Sequence, residues 1–140
     1  MRYLLDTNVI SEWIKPHPDA GLVAWLAGAD EDALHVSVLV FAEIRLGIEL
    51  LPPGQKRSRL GAWLDDDLAA RFEGRIIGVD RRVAEAWGAL VARGRSRGTP
   101  PRVLDALLAA TALVHEMTLV TRNERDVAAL DVTVLNPWQR

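Results

Sequence analysis

The sequence predicts an α/β fold, a single domain with a mostly parallel central sheet of about five short strands flanked by helices. Two patterns point to it. Short apolar or β-branched runs recur along the chain, and between them lie segments whose apolar residues return every three or four positions, the spacing of a helix face. Strands alternating with helices in this way build a parallel sheet covered on both faces. The scale agrees: 140 residues, 49 % hydrophobic and 26 % charged, is ordinary usage for one globular domain. Residues 1–140 are expected to form one domain without repeats or low-complexity segments.

Taken in chain order, Arg2 to Leu5 is a short apolar run ending at Asp6, and Val9, Ile10, Trp13 and Ile14 then keep helical spacing, so a strand leads into a helix. His17-Pro18-Asp19 interrupts, and Leu22, Val23, Trp25 and Leu26 form a second short helix ended near Gly28. Leu34 to Val38 is a second strand. Val40, Phe41, Ile44, Ile48 and Leu51 mark a helix from Leu39 that Pro52-Pro53-Gly54 stops, with Glu43 inside it. Residues 55–71 and 81–97 read as two further helices, separated by a strand at Ile76-Ile77-Gly78-Val79. Gly98-Thr99-Pro100-Pro101 opens a helix from Val103 to His115, in which Asp105, Ala109 and Ala112 form a stripe of small residues headed by one acid. Thr118-Leu119-Val120 and Val132-Thr133-Val134 finish the chain as two strands.

Composition narrows the function. With no cysteine, disulfide scaffolds and thiolate metal sites are excluded. The first residues meet Asp6 before any signal-like apolar stretch forms, and no apolar run approaches the ~20 residues of a membrane helix. A soluble cytoplasmic protein with no membrane partner is expected. The net charge is -2, so affinity for nucleic acid must come from local patches or from bound cations. Such patches exist: the 17 basic residues include only two lysines, Lys15 and Lys56, and arginines gather at Arg57 and Arg59 and again at Arg93, Arg95, Arg97 and Arg102. Taken singly, each of these suits a solvated surface slightly better than a binding role.

Four acids carry the chemical reading. Functional sites in open α/β sheets lie at the carboxyl ends of strands. Asp6 ends the first strand and Asp126 follows the Leu119-Val120 strand, while Glu43 and Asp105 sit on helices that could converge with them. Singly each has a plainer role: Asp6 could cap the following helix, and the helix dipole favours Glu43 and Asp105 near helix starts. Together they are harder to explain that way, because crowded carboxylates must take up protons or hold cations. Mg²⁺ or Mn²⁺ suits such a pocket, since a hard cation accepts one or two carboxylates, keeps waters and adds phosphate oxygens to its shell. The chemistry implied is phosphodiester hydrolysis. His17, His35 and His115 are scattered without metal-ligand spacing.

Leu4-Leu5-Asp6-Thr7-Asn8-Val9-Ile10-Ser11-Glu12, Ala42-Glu43-Ile44, Asp105-Ala106-Leu107-Leu108-Ala109-Ala110-Thr111-Ala112 and Thr121-Arg122-Asn123 with Asp126 resemble the successive motifs of PIN-domain ribonucleases. The chain is most similar to VapC-type toxins of bacterial toxin-antitoxin pairs, and its ending Leu135-Asn136-Pro137-Trp138 resembles their FitB-like branch. The resemblance covers nearly the whole chain. It implies a Rossmann-like PIN fold and a metal-dependent endoribonuclease whose Mg²⁺ or Mn²⁺ is held by Asp6, Glu43, Asp105 and Asp126. Thr7 and Asn123 become polar neighbours of an acid, the metal water or the substrate. It also implies an RNA substrate, a small DNA-binding antitoxin whose tail covers the pocket, and a homodimer.

One departure stands out: Val127 follows Asp126 where these toxins often carry an aromatic residue, and Asp131 is the nearby substitute. Of the tryptophans, Trp13, Trp25, Trp63 and Trp87 fall on apolar helix faces and suit a core better than base stacking. Two other functions compete. A haloacid-dehalogenase-type phosphotransferase would also place an acid at the end of its first strand, but here Asn8 stands where its general acid belongs and lysines are scarce. A catalytically silent PIN-fold module that binds protein or RNA would have no use for four carboxylates that repel phosphate.

Overall fold

The computed structural model describes residues 1–138. Five parallel strands form one sheet: β1 (Tyr3–Leu5), β2 (Leu34–Ser37), β3 (Ile76–Ile77), β4 (Thr118–Val120) and β5 (Val134–Leu135). Their spatial order is β3-β2-β1-β4-β5. The chain therefore builds outward from β1 on one side and then crosses to the other, which puts the switch point between β1 and β4. There Leu5 pairs with Val120. In such sheets the crevice at that point, beyond the carboxyl ends of the strands, is where ligands bind.

Each strand supplies both faces, because successive side chains point to opposite sides. Leu5 and Val120 face a core shared with α1 (Thr7–Trp13), α2 (Ala20–Gly28) and α3 (Val38–Glu49), through Val9, Ile10, Leu22, Val40 and Ile48. Leu4 and Leu119 face a second core with α6 (Arg81–Ser96) and α7 (Val103–Val114), through Val83, Leu90, Leu108, Ala109 and Ala112. Fully burying one such side chain is worth about 1.5–3 kcal/mol. The alanine stripe on α7 lets that helix lie close to the sheet, which carries Asp105 in its first turn to the strand ends.

The segment expected as one helix over 55–71 is helical throughout but not uniform. It begins as α4 (Gln55–Ala62), widens to a π-helix at Trp63–Leu68 and closes as α5 (Ala69–Arg71). The widened turn buries Leu64 and Leu68 while Asp65, Asp66 and Asp67 stay exposed. Apolar spacing alone does not separate this from an α-helix. The last strand is Val134–Leu135, shorter and later than the run 132–134 suggests, because it pairs with Leu119 and Val120. Between β4 and β5 lie α8 (Glu124–Val127) and a 3-10 turn, Ala128–Leu130.

Trp13, Trp25, Trp63 and Trp138 pack against the first core and Trp87 against the second. Tyr3 meets Trp25 edge-on at 5.0 Å, and the Arg71 guanidinium lies 4.1 Å from the Trp13 ring centre. No helix among the described residues is long and apolar enough to cross a membrane.

Candidate active site

β1 ends at Leu5, and Asp6 takes an extended backbone that makes it the N-cap of α1. Its Oδ1 accepts the Thr7 N–H at 2.7 Å, so the plain capping role is real. Capping uses only one oxygen. Oδ2 accepts the Thr121 hydroxyl at 2.8 Å and, more weakly, the Asn8 amide at 3.4 Å. Thr121 is the residue directly after β4 and is fully buried. Its hydroxyl has one proton and two lone pairs, and all are engaged: it donates to Asp6 and accepts from Asn8 Nδ2 and the Asn123 N–H, each at 3.1 Å. Asn8 Oδ1 in turn accepts the Arg122 N–H at 3.3 Å. The two strands that meet at the switch point are thus tied to each other by polar side chains as well as by the ladder.

Glu43 arrives from a different layer. Ser37, buried at the end of β2, caps α3 by accepting the Leu39 N–H at 3.0 Å. Glu43 then lies mid-helix, six residues in, and the helix dipole that favours acids in a first turn does not explain it. The Thr7 hydroxyl donates to Glu43 Oε1 at 2.6 Å. Asp105 does sit in the first turn of its helix, as the spacing suggested.

Asp6, Glu43 and Asp105 line one open cavity of about 340 Å³ together with Thr7, Asn123 and Arg102. Asp126 stands on α8, exposed and outside that lining, but near enough that its charge raises both Asp6 and Asp105. Asp131 is excluded as its substitute: it is exposed and ends the 3-10 turn in a left-handed conformation, φ 55°, which is a turn position. A larger cavity of about 540 Å³ lies among Met1, Tyr3, Trp25 and Ala33, at the opposite ends of β1 and β2, and holds none of the four acids.

Crowding sets the electrostatics. Burial holds the Asp6 carboxyl above the ordinary Asp value; the Thr121 and Thr7 hydrogen bonds pull it down without cancelling that, and Glu43 and Asp126 push it further up. Burial, then Asp6 and Asp126, raise Asp105, and Arg102 offsets only part. A positive ion between them would relieve both. No three His, Cys, Asp or Glu side chains among the described residues stand close enough to enclose one. An open pocket lined by carboxylates suits a hard cation that takes one or two of them and keeps its waters. All the donors are oxygens, so the residues fit Mg²⁺ or Mn²⁺.

Sequence reasoning reached Asp6, Glu43, Asp105, Asn123 and Thr7. It passed over Thr121 and Asn8, which it met only as parts of motifs, and gave Arg102 no place in the pocket. Thr121 could have been found from symmetry, since it comes directly after Thr118–Val120 as Asp6 comes after Tyr3–Leu5.

Acids at the switch point of a five-stranded parallel sheet define a class. A model of the PIN domain family matches residues 3–132, and the chain belongs to that family. Its relatives include Toxin FitB of Neisseria gonorrhoeae, 38% identical over 135 residues that cover 96% of this chain and 97% of FitB. VapC ribonuclease Y4jK of Sinorhizobium fredii is 30% identical over 136 residues, covering 97% of each. The solved structure of FitAB bound to an IR36 DNA fragment superposes with a TM-score of 0.91 at 37% identity, over 99% of this chain and 96% of that one.

Proposed function

We propose that this chain, one PIN domain over residues 1–140, is a metal-dependent endoribonuclease acting in the cytoplasm as the toxin of a VapC-type toxin-antitoxin pair. The observation that carries this is the single open cavity shared by Asp6, Glu43 and Asp105, with Asp6 and Asp105 both held above their ordinary protonation range. The names of its relatives, a toxin and a ribonuclease, support the same reading.

Asp6, Glu43, Asp105 and Asp126 would hold Mg²⁺ or Mn²⁺, one or two of them directly and the others through its waters. Bound there, the cation supplies a Lewis acid for the scissile phosphate and a more acidic water. The chain's own residues do the rest. Thr121 and the Thr7 N–H fix both oxygens of Asp6, so its carboxylate is oriented before substrate arrives. The Thr7 hydroxyl engages one oxygen of Glu43, a residue of the cavity lining, and leaves the other to accept from elsewhere. Asn123, whose N–H is anchored on Thr121, offers its side-chain amide to substrate. The FitAB complex on DNA supports a small DNA-binding antitoxin as partner. Val103, Leu104 and Leu113, exposed on α7, suit a homodimer.

The test is cleavage of a panel of structured and single-stranded RNAs by purified protein with Mg²⁺, Mn²⁺ or EDTA, beside Asp6→Asn. Cutting that needs the cation and disappears in the variant is the expected result. Metal-independent RNA binding without cutting under any condition would instead identify a silent binding module.

A further inference from the structure

We propose that Arg102 is the substrate-phosphate ligand of this pocket, held in place by a loop that only a glycine at position 94 admits. The proposal rests on the nuclease reading and deepens it. Among the residues lining the acid cavity, Arg102 alone is cationic. An arginine beside three carboxylates would ordinarily pair with one. Among the described residues its guanidinium forms neither a hydrogen bond nor an ion pair, and its charge reaches Asp105 as the smallest of four influences.

The backbone explains where that side chain starts. Gly98, at φ 72°, turns the chain out of α6, and the Thr99 N–H donates back to the Gly94 carbonyl at 2.8 Å. Gly94 is buried, and a Cβ there would lie 2.7 Å from Pro101 Cδ and 2.8 Å from the Thr99 carbonyl oxygen. The loop can rest on α6 this closely only because Gly94 has no side chain. Pro100 and Pro101 stiffen the approach to α7, and Arg102 caps that helix with an extended backbone.

A planar guanidinium with five donors, unpaired and exposed at the edge of a pocket of acids, matches the oxygens of a phosphodiester. It also answers a physical difficulty. The acids needed for the cation repel the RNA backbone, and one positive group at the pocket offsets that repulsion on the substrate itself. Gly94 acts through the loop as a positioning residue.

The test separates a phosphate ligand from a group that merely tempers Asp105. Binding of a short fluorescein-labelled single-stranded RNA of mixed sequence is followed by anisotropy in EDTA, where cation loading plays no part, for the wild type, Arg102→Ala, Arg102→Lys and Gly94→Ala. Arg102→Ala should weaken binding about ten-fold, the loss of one charge-assisted hydrogen bond. It should also reduce the salt slope by about 0.7, one phosphate contact on a single strand. Arg102→Lys should recover part of the affinity and all of the slope, and with Mg²⁺ the alanine variant should raise KM more than it lowers kcat. Gly94→Ala should weaken binding in the same direction while circular dichroism reports a folded chain. Wild-type affinity and slope in Arg102→Ala, with cutting still abolished by Asp6→Asn, would overturn the proposal and leave the nuclease standing. A wild type that neither binds nor cuts RNA overturns both.

Discussion

The two walls of the acid cavity are built differently. On the inner wall, Asp6, Thr7, Asn8, Glu43 and Thr121 form a connected set of hydrogen bonds between strand ends and two helices, and Asp6 and Thr121 are buried. On the outer wall, Asp105 is half-buried and Arg102 exposed, with exposed Asp126 just beyond the lining, and none of these three side chains is hydrogen-bonded among the described residues. The difference separates two tasks. The inner wall fixes geometry as the chain folds, whereas the outer wall presents charge that its own hydrogen bonds do not fix.

The widest separation should come from substitutions on the inner wall. Asp6→Asn is expected to lower RNA cleavage by about 100-fold or more, since a cation's contribution of several kcal/mol passes through this carboxylate. In EDTA the same variant should change the melting temperature less than Thr121→Val does, because removing a buried charge offsets the one hydrogen bond that the amide cannot accept. Wild-type cleavage in this variant with a lower melting temperature would mean that Asp6 serves structure alone.

Thr121→Val tests the inner network without touching an acid. It removes the donor to Asp6 and the acceptor of two N–H groups, costing about 1–3 kcal/mol. Calorimetry should show a melting temperature several degrees lower, with cleavage reduced alongside. If activity falls while stability does not, the network serves orientation alone.

A pH titration of stability in EDTA sharpens the contrast further. Asp6 and Asp105 both titrate above their ordinary value in the folded chain, so folded protein binds more protons than unfolded protein between the ordinary and raised values. Their contribution to stability is therefore present below the ordinary value and lost as pH rises through the raised one. Urea midpoints should fall across that window, and Mg²⁺ should flatten the fall.

The smallest effect is expected at the rim. Asp126→Asn should reduce cleavage by about five-fold or less, as an exposed charge acting through water, and by less than Asp105→Asn does. Equal losses in the two variants would give Asp126 the same weight as Asp105 at the cation.

The outline of the fold was legible because the strands are short apolar or β-branched runs, β1 closed by Asp6 and β4 by Thr121, and because the helices between them keep their spacing. The PIN motifs were legible for the same reason: Asp6 and Asn123 come after strands, and Glu43 and Asp105 interrupt apolar helices. The rest depends on pairing across the chain. Nothing local to Thr121 reveals that its hydroxyl meets Asp6, and nothing near Arg102 reveals that it shares a cavity with Glu43. The π-helix at Trp63–Leu68 was equally hidden, since one extra residue in a turn changes the hydrogen bonds more than the apolar pattern.

The contact between Thr121 and Asp6 spans 115 positions. Closing so long a loop is slow and comes late, after the local helices have formed. During synthesis Asp6 and Glu43 emerge first, and Asp6 lacks its hydroxyl partner until β4 has docked beside β1. A growing chain thus carries no assembled pocket until the last third of the sequence has folded back onto the first strand.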